Sequence, residues 1–176
     1  MRTLTLGEIR GWSLVQISAF PGTLPNLERA VRPFLGGDFP THIGTCAMRS
    51  GPLLFKIGAE QFWVLSPDGQ DLVPALQSTI PPEIGAVTSL SHSRARIFVQ
   101  GGAARQVLST GIVLDLHPDS FPVGAFALTG AHHAAVLLHR TRADRYELYV
   151  PRTFAAWIWD WLTDAALPIG YEVEPS

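Results

Sequence analysis

Apolar and polar positions alternate along most of this chain in short runs, and each half is broken twice by a stretch with helical spacing. Leu4 to Ile9 and Ser13 to Ser18 read as strands. Thr23 stands where a helix N-cap would, with Leu24, Leu27 and Val31 on one face. Pro25 is tolerable in the first turn, where backbone N–H groups have no intrahelical partner, and Pro33 predicts a stop near Arg32. Thr45 to Met48, Leu53 to Ile57 and Phe62 to Leu65 are the next strands, punctuated by Gly51-Pro52 and Gly58. Asp71 then caps a closing helix that turns Leu72, Val73, Leu76 and Ile80 inward.

The second half repeats the order. Ala86 to Leu90 and Ala95 to Gln100 are strands, and Gly101-Gly102 leads into a short helix carrying Ala104, Val107 and Leu108. Ala125 to Thr129, Ala134 to His139 and Tyr146 to Val150 follow as strands, and a last helix starts near Thr153. The residues themselves carry a faint repeat. Asp38-Phe39-Pro40 returns as Ser120-Phe121-Pro122, an offset of 82. The same offset pairs SLVQISAF (Ser13 to Phe20) with ARIFVQGG (Ala95 to Gly102), and QFWVLSP (Gln61 to Pro67) meets RYELYVP (Arg145 to Pro151) at 84. The expectation is a single domain, 1–176, made of two pseudo-repeats of about 1–85 and 86–176, joined at the Pro81-Pro82 turn without a linker. Strands come in groups and helices singly, which predicts an α+β fold with mixed or mostly antiparallel sheets.

In the last helix, Phe154, Trp157, Ile158, Trp161, Leu162 and Ala165 recur as one apolar face. Trp159 falls about 200° from Trp157 and is off that face. An indole there meets solvent, a neighbouring loop or another protein, and Trp159 is the expected intersubunit contact.

Composition sharpens that expectation. Only 16% of the 176 residues are charged while 47% are apolar. A usual domain carries about 25% charge. Either neutral polar groups cover the surface or part of it belongs against another protein. Twelve of the thirteen basic residues are arginine, the exception being Lys56. Interfaces favour arginine, although genomic base composition yields the same ratio. A net charge of −2 argues against an electrostatically driven nucleic-acid binder. A single cysteine, Cys46, excludes an internal disulfide and reads as strand packing. No run reaches the length of a membrane span or a signal peptide, so a soluble, reduced, cytoplasmic protein is expected.

Candidate chemistry is sparse. His132 and His133 are adjacent, so on a strand they would point to opposite faces; His133 and His139 could share one, but no third ligand has suitable spacing. Asp115-Leu116-His117 has acid–base spacing, yet Pro118 marks a turn. Ser91-His92-Ser93 sets a hydroxyl beside an imidazole whose direction diverges from it. Gly101-Gly102 precedes a helix without any phosphate-binding spacing.

Val87 to Thr129 (VTSLSHSRARIFVQGGAARQVLSTGIVLDLHPDSFPVGAFALT) and Asp144 to Leu162 (DRYELYVPRTFAAWIWDWL) resemble the gamma subunit of heterotetrameric sarcosine oxidase. The resemblance is close from Thr88 to Tyr171 and looser before it, and it rests on LSHSR, DLHP, FPVG and YELYV-RTFA-WDWL in order. That family is related to the folate-binding module of the aminomethyltransferase T-protein. The resemblance implies a duplicated β2-α-β3-α unit with first strands exchanged between the halves. Catalytic relatives carry an acidic Gly-Gly-Ile-x-Asp-Asp hairpin, whereas the matching stretch here, Gly130 to Arg140, reads GAHHAAVLLHR with no Asp or Glu.

The role implied is a non-catalytic gamma-type subunit supporting a large alpha subunit, with beta and delta chains completing a complex that oxidatively demethylates sarcosine or a related N-methyl amine. FAD, FMN, NAD, tetrahydrofolate and zinc are implied for the whole complex, and no catalytic, cofactor or metal site for this chain. Self-association of the isolated chain stays open. The alternatives are a stand-alone folate-binding protein of the T-protein relatives and a small enzyme built on His92, His117 and His133.

Overall fold

A computed structural model describes residues 4–35, 39–44, 46–47 and 52–175. The chain forms two compact units, one from 11–92 and one from 4–10 with 93–175.

In the 11–92 unit the strands are β2 (Ser13–Ala19), β3 (Cys46–Ala47), β4 (Leu53–Lys56), β5 (Gln61–Ser66) and β6 (Gly85–Ser89). They form one antiparallel sheet in the order β3-β4-β5-β2-β6. The helices α1 (Leu24–Leu35) and α2 (Val73–Thr79) contribute Leu27, Val31 and Leu76 to a core shared with Val15, Ile17, Phe62 and Val64 of the sheet. Asp71 accepts the Val73 N–H at 3.0 Å, but it stands one residue ahead of the N-cap, which is Leu72, so it braces the turn into α2 and does not occupy the cap position expected of it. At the start of α1 the Thr23 carbonyl accepts from Asn26 and Leu27, while the Thr23 hydroxyl faces the carbonyls of Phe20 (2.8 Å) and Ile84 (2.5 Å). Thr23 therefore holds the cap position but uses its side chain to tie down the preceding turn.

Pro33 does not stop α1, which runs three residues past the predicted end near Arg32. Proline removes one N–H from the ladder. One further turn places Leu35 four residues after Val31, in line with Leu27, and all three are buried. Apolar burial of that kind offsets a lost bond near a helix end. Part of the predicted strand Thr45 to Met48, and the Asp38 and Gly51 positions, lie outside the described residues, as does the packing expected of the Cys46 side chain.

The second unit holds β1 (Leu4–Ile9), β7 (Arg94–Gln100), β8 (Phe126–Ala131), β9 (Ala134–Arg142), β10 (Arg145–Pro151) and β11 (Tyr171–Glu174). Their order is β11-β1-β7-β10-β9-β8, antiparallel except for β11 beside β1. The helices α3 (Ala104–Leu108) and α4 (Ala155–Ala166), the latter entered through a 3-10 turn at Arg152–Phe154, cover one face. The first strands are exchanged. β1 pairs with β7, with Leu6 opposite Val99, while β6 pairs with β2, with Val87 opposite Ile17. Within this sheet Gly7 lies opposite Phe98, and a Cβ on Gly7 would stand 2.4 Å from the Phe98 ring. The missing side chain is what lets that ring lie across β1.

His132 and His133 fall between the predicted strands Ala125 to Thr129 and Ala134 to His139, and there they make a tight hairpin turn. Ala131 pairs with Ala134, so the two histidines are the whole turn of the β8–β9 hairpin, and His132 takes a positive φ of 49°. Such tight turns require positive φ. The strand β11 was not predicted, although Tyr171 and Val173 alternate with Glu172 and Glu174.

Candidate interaction surface

The polar residues picked out in the sequence are used mainly within the unit they belong to. Asp115 accepts from the His117 N–H (2.9 Å) and the Ser120 hydroxyl (2.6 Å), and these bonds hold its carboxyl below the usual range. That is turn chemistry, as Pro118 suggests. Ser91 accepts the Leu14 N–H at 3.0 Å, fastening the 91–93 turn that contains His92. The Gly101 carbonyl accepts from the Ala104 N–H and its own N–H donates to the Asp144 carbonyl, closing the turn ahead of a five-residue helix.

His139 is on β9, opposite Phe126 and Glu147, and does not meet His133 in the turn. Burial pushes its pKa down to about 4, against the opposing pull of Glu147. Around it lies a network that the sequence pattern did not reveal. Arg96 donates twice to Glu147 Oε2 (3.1 and 2.7 Å), and Arg145 donates to Glu147 Oε1 (3.3 Å) and to Gln100 (2.7 Å). The Arg145 guanidinium stacks 3.9 Å over Phe98. Cross-strand spacing could have found this group once register was known, since Glu147 faces Phe98 and Arg145 faces Gln100. Among the described residues, no three of His, Cys, Asp and Glu gather as metal ligands would, and no helix is long and apolar enough to cross a membrane.

The surface with unspent apolar character is α4. Its buried stripe is Ile158, Leu162 and Ala166, so the expected face is rotated: Ile158 and Leu162 turn inward as expected, while Phe154 and Trp157 are exposed. At about 100° per residue, Trp159 lies about 60° from the centre of that stripe, and Trp157 about 140°. Trp157 is 41% exposed, while Trp159 is half-buried against the core. Asp160 and Asp164 lie about 160° from that stripe on either side and mark the outer face opposite to it, a signal carried by the two acids and not by the tryptophans.

Two concavities flank α4. The first, of about 350 Å³, is lined by Trp159, Ala155, Ile97, Val173 and Pro175, with Glu8 and Glu174 at its rim. Arg10 pairs with Glu8 at 2.8 Å, leaving Glu174 the uncompensated charge of that lining. Trp159 is therefore accessible from outside the chain, as an intersubunit contact must be. The second, about 510 Å³ and more open, is lined by Thr110, His132, Trp157, Asp160, Trp161, Asp164 and Ala165. His132 stands edge-on to Trp157 (5.5 Å, 85°) and to Trp161 (5.1 Å, 85°), and His133 lies 6.1 Å from Trp157. Trp161 Nε1 donates to the Thr110 hydroxyl (3.0 Å), which donates to the Val107 carbonyl (2.7 Å). The Trp161 indole is thus held in one orientation. Helical spacing points to Trp159 and not to this ledge, whose histidine arrives through the hairpin turn.

Comparisons with known proteins agree over nearly the whole chain. The family model described as the sarcosine oxidase, gamma subunit family matches residues 22–167. A sarcosine oxidase subunit gamma from Arthrobacter sp. is 30% identical over 171 residues, covering 94% of this chain and 83% of that protein. A chain of the heterotetrameric sarcosine oxidase from Corynebacterium sp. U-96, solved with pyrrole 2-carboxylate, superposes with a TM-score of 0.87 at 27% identity, over 96% of this chain and 86% of that one. The glycine cleavage system aminomethyltransferase T from Bartonella henselae shares the fold at a TM-score of 0.68 and 16% identity, over 98% of this chain and 47% of that one.

Proposed function

The chain belongs to the sarcosine oxidase gamma subunit family, and we propose that it is the gamma-type subunit of a heterotetrameric complex that oxidatively demethylates sarcosine or a related N-methyl amine. The observation that carries this reading is the match to a chain of such a heterotetramer along almost the full length of both. A likeness spread over the whole fold suits a polypeptide that works through its surface. The carboxylates described above also support that role. Asp115 and Glu147 are engaged in turn and sheet contacts, and the tip of the β8–β9 hairpin bears His132 and His133.

In this reading the chain has no active site of its own and supports assembly of the large alpha subunit alongside beta and delta. FAD, FMN, NAD, tetrahydrofolate and zinc belong to the other chains, and the complex works in the cytoplasm in sarcosine and one-carbon metabolism. Trp159 and its groove are part of the surface that meets a partner subunit.

Co-expression of the tagged chain with its three partner subunits tests this. A stable four-chain complex with sarcosine-demethylating activity is expected. If the other three assemble equally well and are equally active without it, the reading is lost. Stabilisation of the isolated chain by a reduced folate would instead favour a stand-alone folate-binding protein, because a ligand that binds only the native state raises its melting temperature.

A further inference from the structure

We propose that the ledge formed by His132, Trp157 and Trp161 with Asp160 and Asp164 seats an arginine side chain of the large partner subunit. The inference rests on the subunit reading above and names the partner chemistry at one place on it. Trp157, Asp160, Trp161, Asp164 and Ala165 fall at i, i+3, i+4, i+7 and i+8, so one stripe of α4 presents two indoles interleaved with two carboxylates. The hairpin turn adds His132 beside both indoles. The lining includes no lysine or arginine.

Flat π-faces beside paired carboxylates match the guanidinium group, which stacks on aromatic rings and donates bidentately to carboxylates. The electrostatic complement of this surface is therefore a cation with a planar head. Its openness chooses between sources. Sites for small free ligands enclose most of the ligand surface. This concavity is broad and shallow, with exposed Asp160, Asp164 and His132. A cation delivered on a partner protein brings its own surroundings to close the other side.

The ledge is also built in advance. Trp161 is anchored through Thr110, and His132 donates its backbone N–H to the Gly111 carbonyl at 2.9 Å. Gly111 keeps the space open. A Cβ there would stand 2.4 Å from His132 Nε2 and 2.7 Å from Trp161 Cζ2. Preorganised side chains lose little freedom when the partner arrives.

Binding of the purified full chain to the assembly of the other three subunits, measured at low and high salt, tests the proposal. Trp157→Ala should weaken binding roughly thirtyfold, as for a central aromatic contact. Asp160→Asn with Asp164→Asn should weaken it about tenfold at low salt and flatten the salt dependence. All these side chains are on the surface, and thermal melting of each variant checks that the fold is intact. Unchanged affinity and salt dependence in both variants overturns the ledge alone. If instead the isolated wild-type chain dimerises and Trp157→Ala abolishes that dimer without touching binding to the assembly, the occupant is a second copy and the proposal is wrong. Absence of any binding by the wild-type chain removes the subunit reading and the ledge together.

Discussion

His132 stands edge-on to Trp161 at a centroid distance of 5.1 Å, over the position where Gly111 has no side chain. A turn histidine with positive φ thereby meets a helix that begins more than twenty residues later in the chain. The contact depends on that glycine. Gly111→Ala should displace His132 or tilt the Trp161 indole, costing about 1–3 kcal/mol, the usual range for overpacking. Near-UV circular dichroism should change while far-UV dichroism stays the same. An unaltered near-UV spectrum would show that the ring arrangement does not need Gly111.

Glu147 holds two arginines, Arg96 and Arg145, on neighbouring strands. Glu147→Ala leaves the buried Arg96 without its carboxylate and should cost about 3–5 kcal/mol in urea unfolding. Replacing both Arg96 and Glu147 by apolar residues of similar size should cost less, because the buried Arg96 guanidinium leaves with its carboxylate and only the less buried Arg145, still bonded to Gln100, loses a partner. Equal losses in the single and double variants would refute a coupled pair.

His139 has a folded-state pKa of about 4, against an ordinary 6.5, so the unfolded chain takes up its proton first. Stability from this residue is complete above the unfolded value and is lost as pH falls from about 6.5 toward about 4. The loss should approach roughly 3 kcal/mol at the lower end. His139→Leu should flatten the stability profile across that window. A variant whose profile is as steep as that of the wild type would assign the acid sensitivity to other groups.

Trp159 lines the groove between the start of α4 and the β1–β11 edge. Trp159→Ala should leave a folded chain that joins its partner subunits roughly tenfold less tightly, the loss typical of an aromatic interface residue. Normal assembly by a chain that melts at a lower temperature would make Trp159 a packing residue only.

Exchange of the first strands gives each repeat a strand in the sheet of the other. We expect the whole chain, 1–176, to unfold as one domain, since neither repeat completes a sheet from its own residues. Hydrogen exchange in rising urea should report the same midpoint for amides of β5 and β9. Two separated midpoints would mean independent units. Removing the first ten residues should open the 93–175 sheet, because β7 and β11 both pair with β1.

Most strand positions were legible to within a residue or two where a pattern was local. Ser13 to Ser18 extends only to Ala19, although β9 runs three residues beyond His139 and the N-cap of α2 is Leu72, one residue after Asp71. Misreadings occurred where the decisive partner was distant. Pro33 marked a stop that the burial of Leu35 overrides. The predicted strands left His132-His133 between them, but only the Ala131–Ala134 pairing showed that the two are the entire turn. Most of the chemistry candidates were visible as turn residues, but the Arg96–Glu147–Arg145 network needed cross-strand register to be seen.

The order of residues alone determined that this chain is a doubled α+β scaffold with family motifs in sequence, because propensity, capping and alternation act between neighbours. Tertiary packing decided which indole of α4 meets which neighbour. Ile158, Leu162 and Ala166 fit the core, so Trp159 was left at a groove and Trp157 faced outward beside a histidine from the hairpin. Asp160 and Asp164 already marked the outer side of the helix, but the groove and the hairpin histidine come from strands distant in the sequence, and only folding brings them beside it.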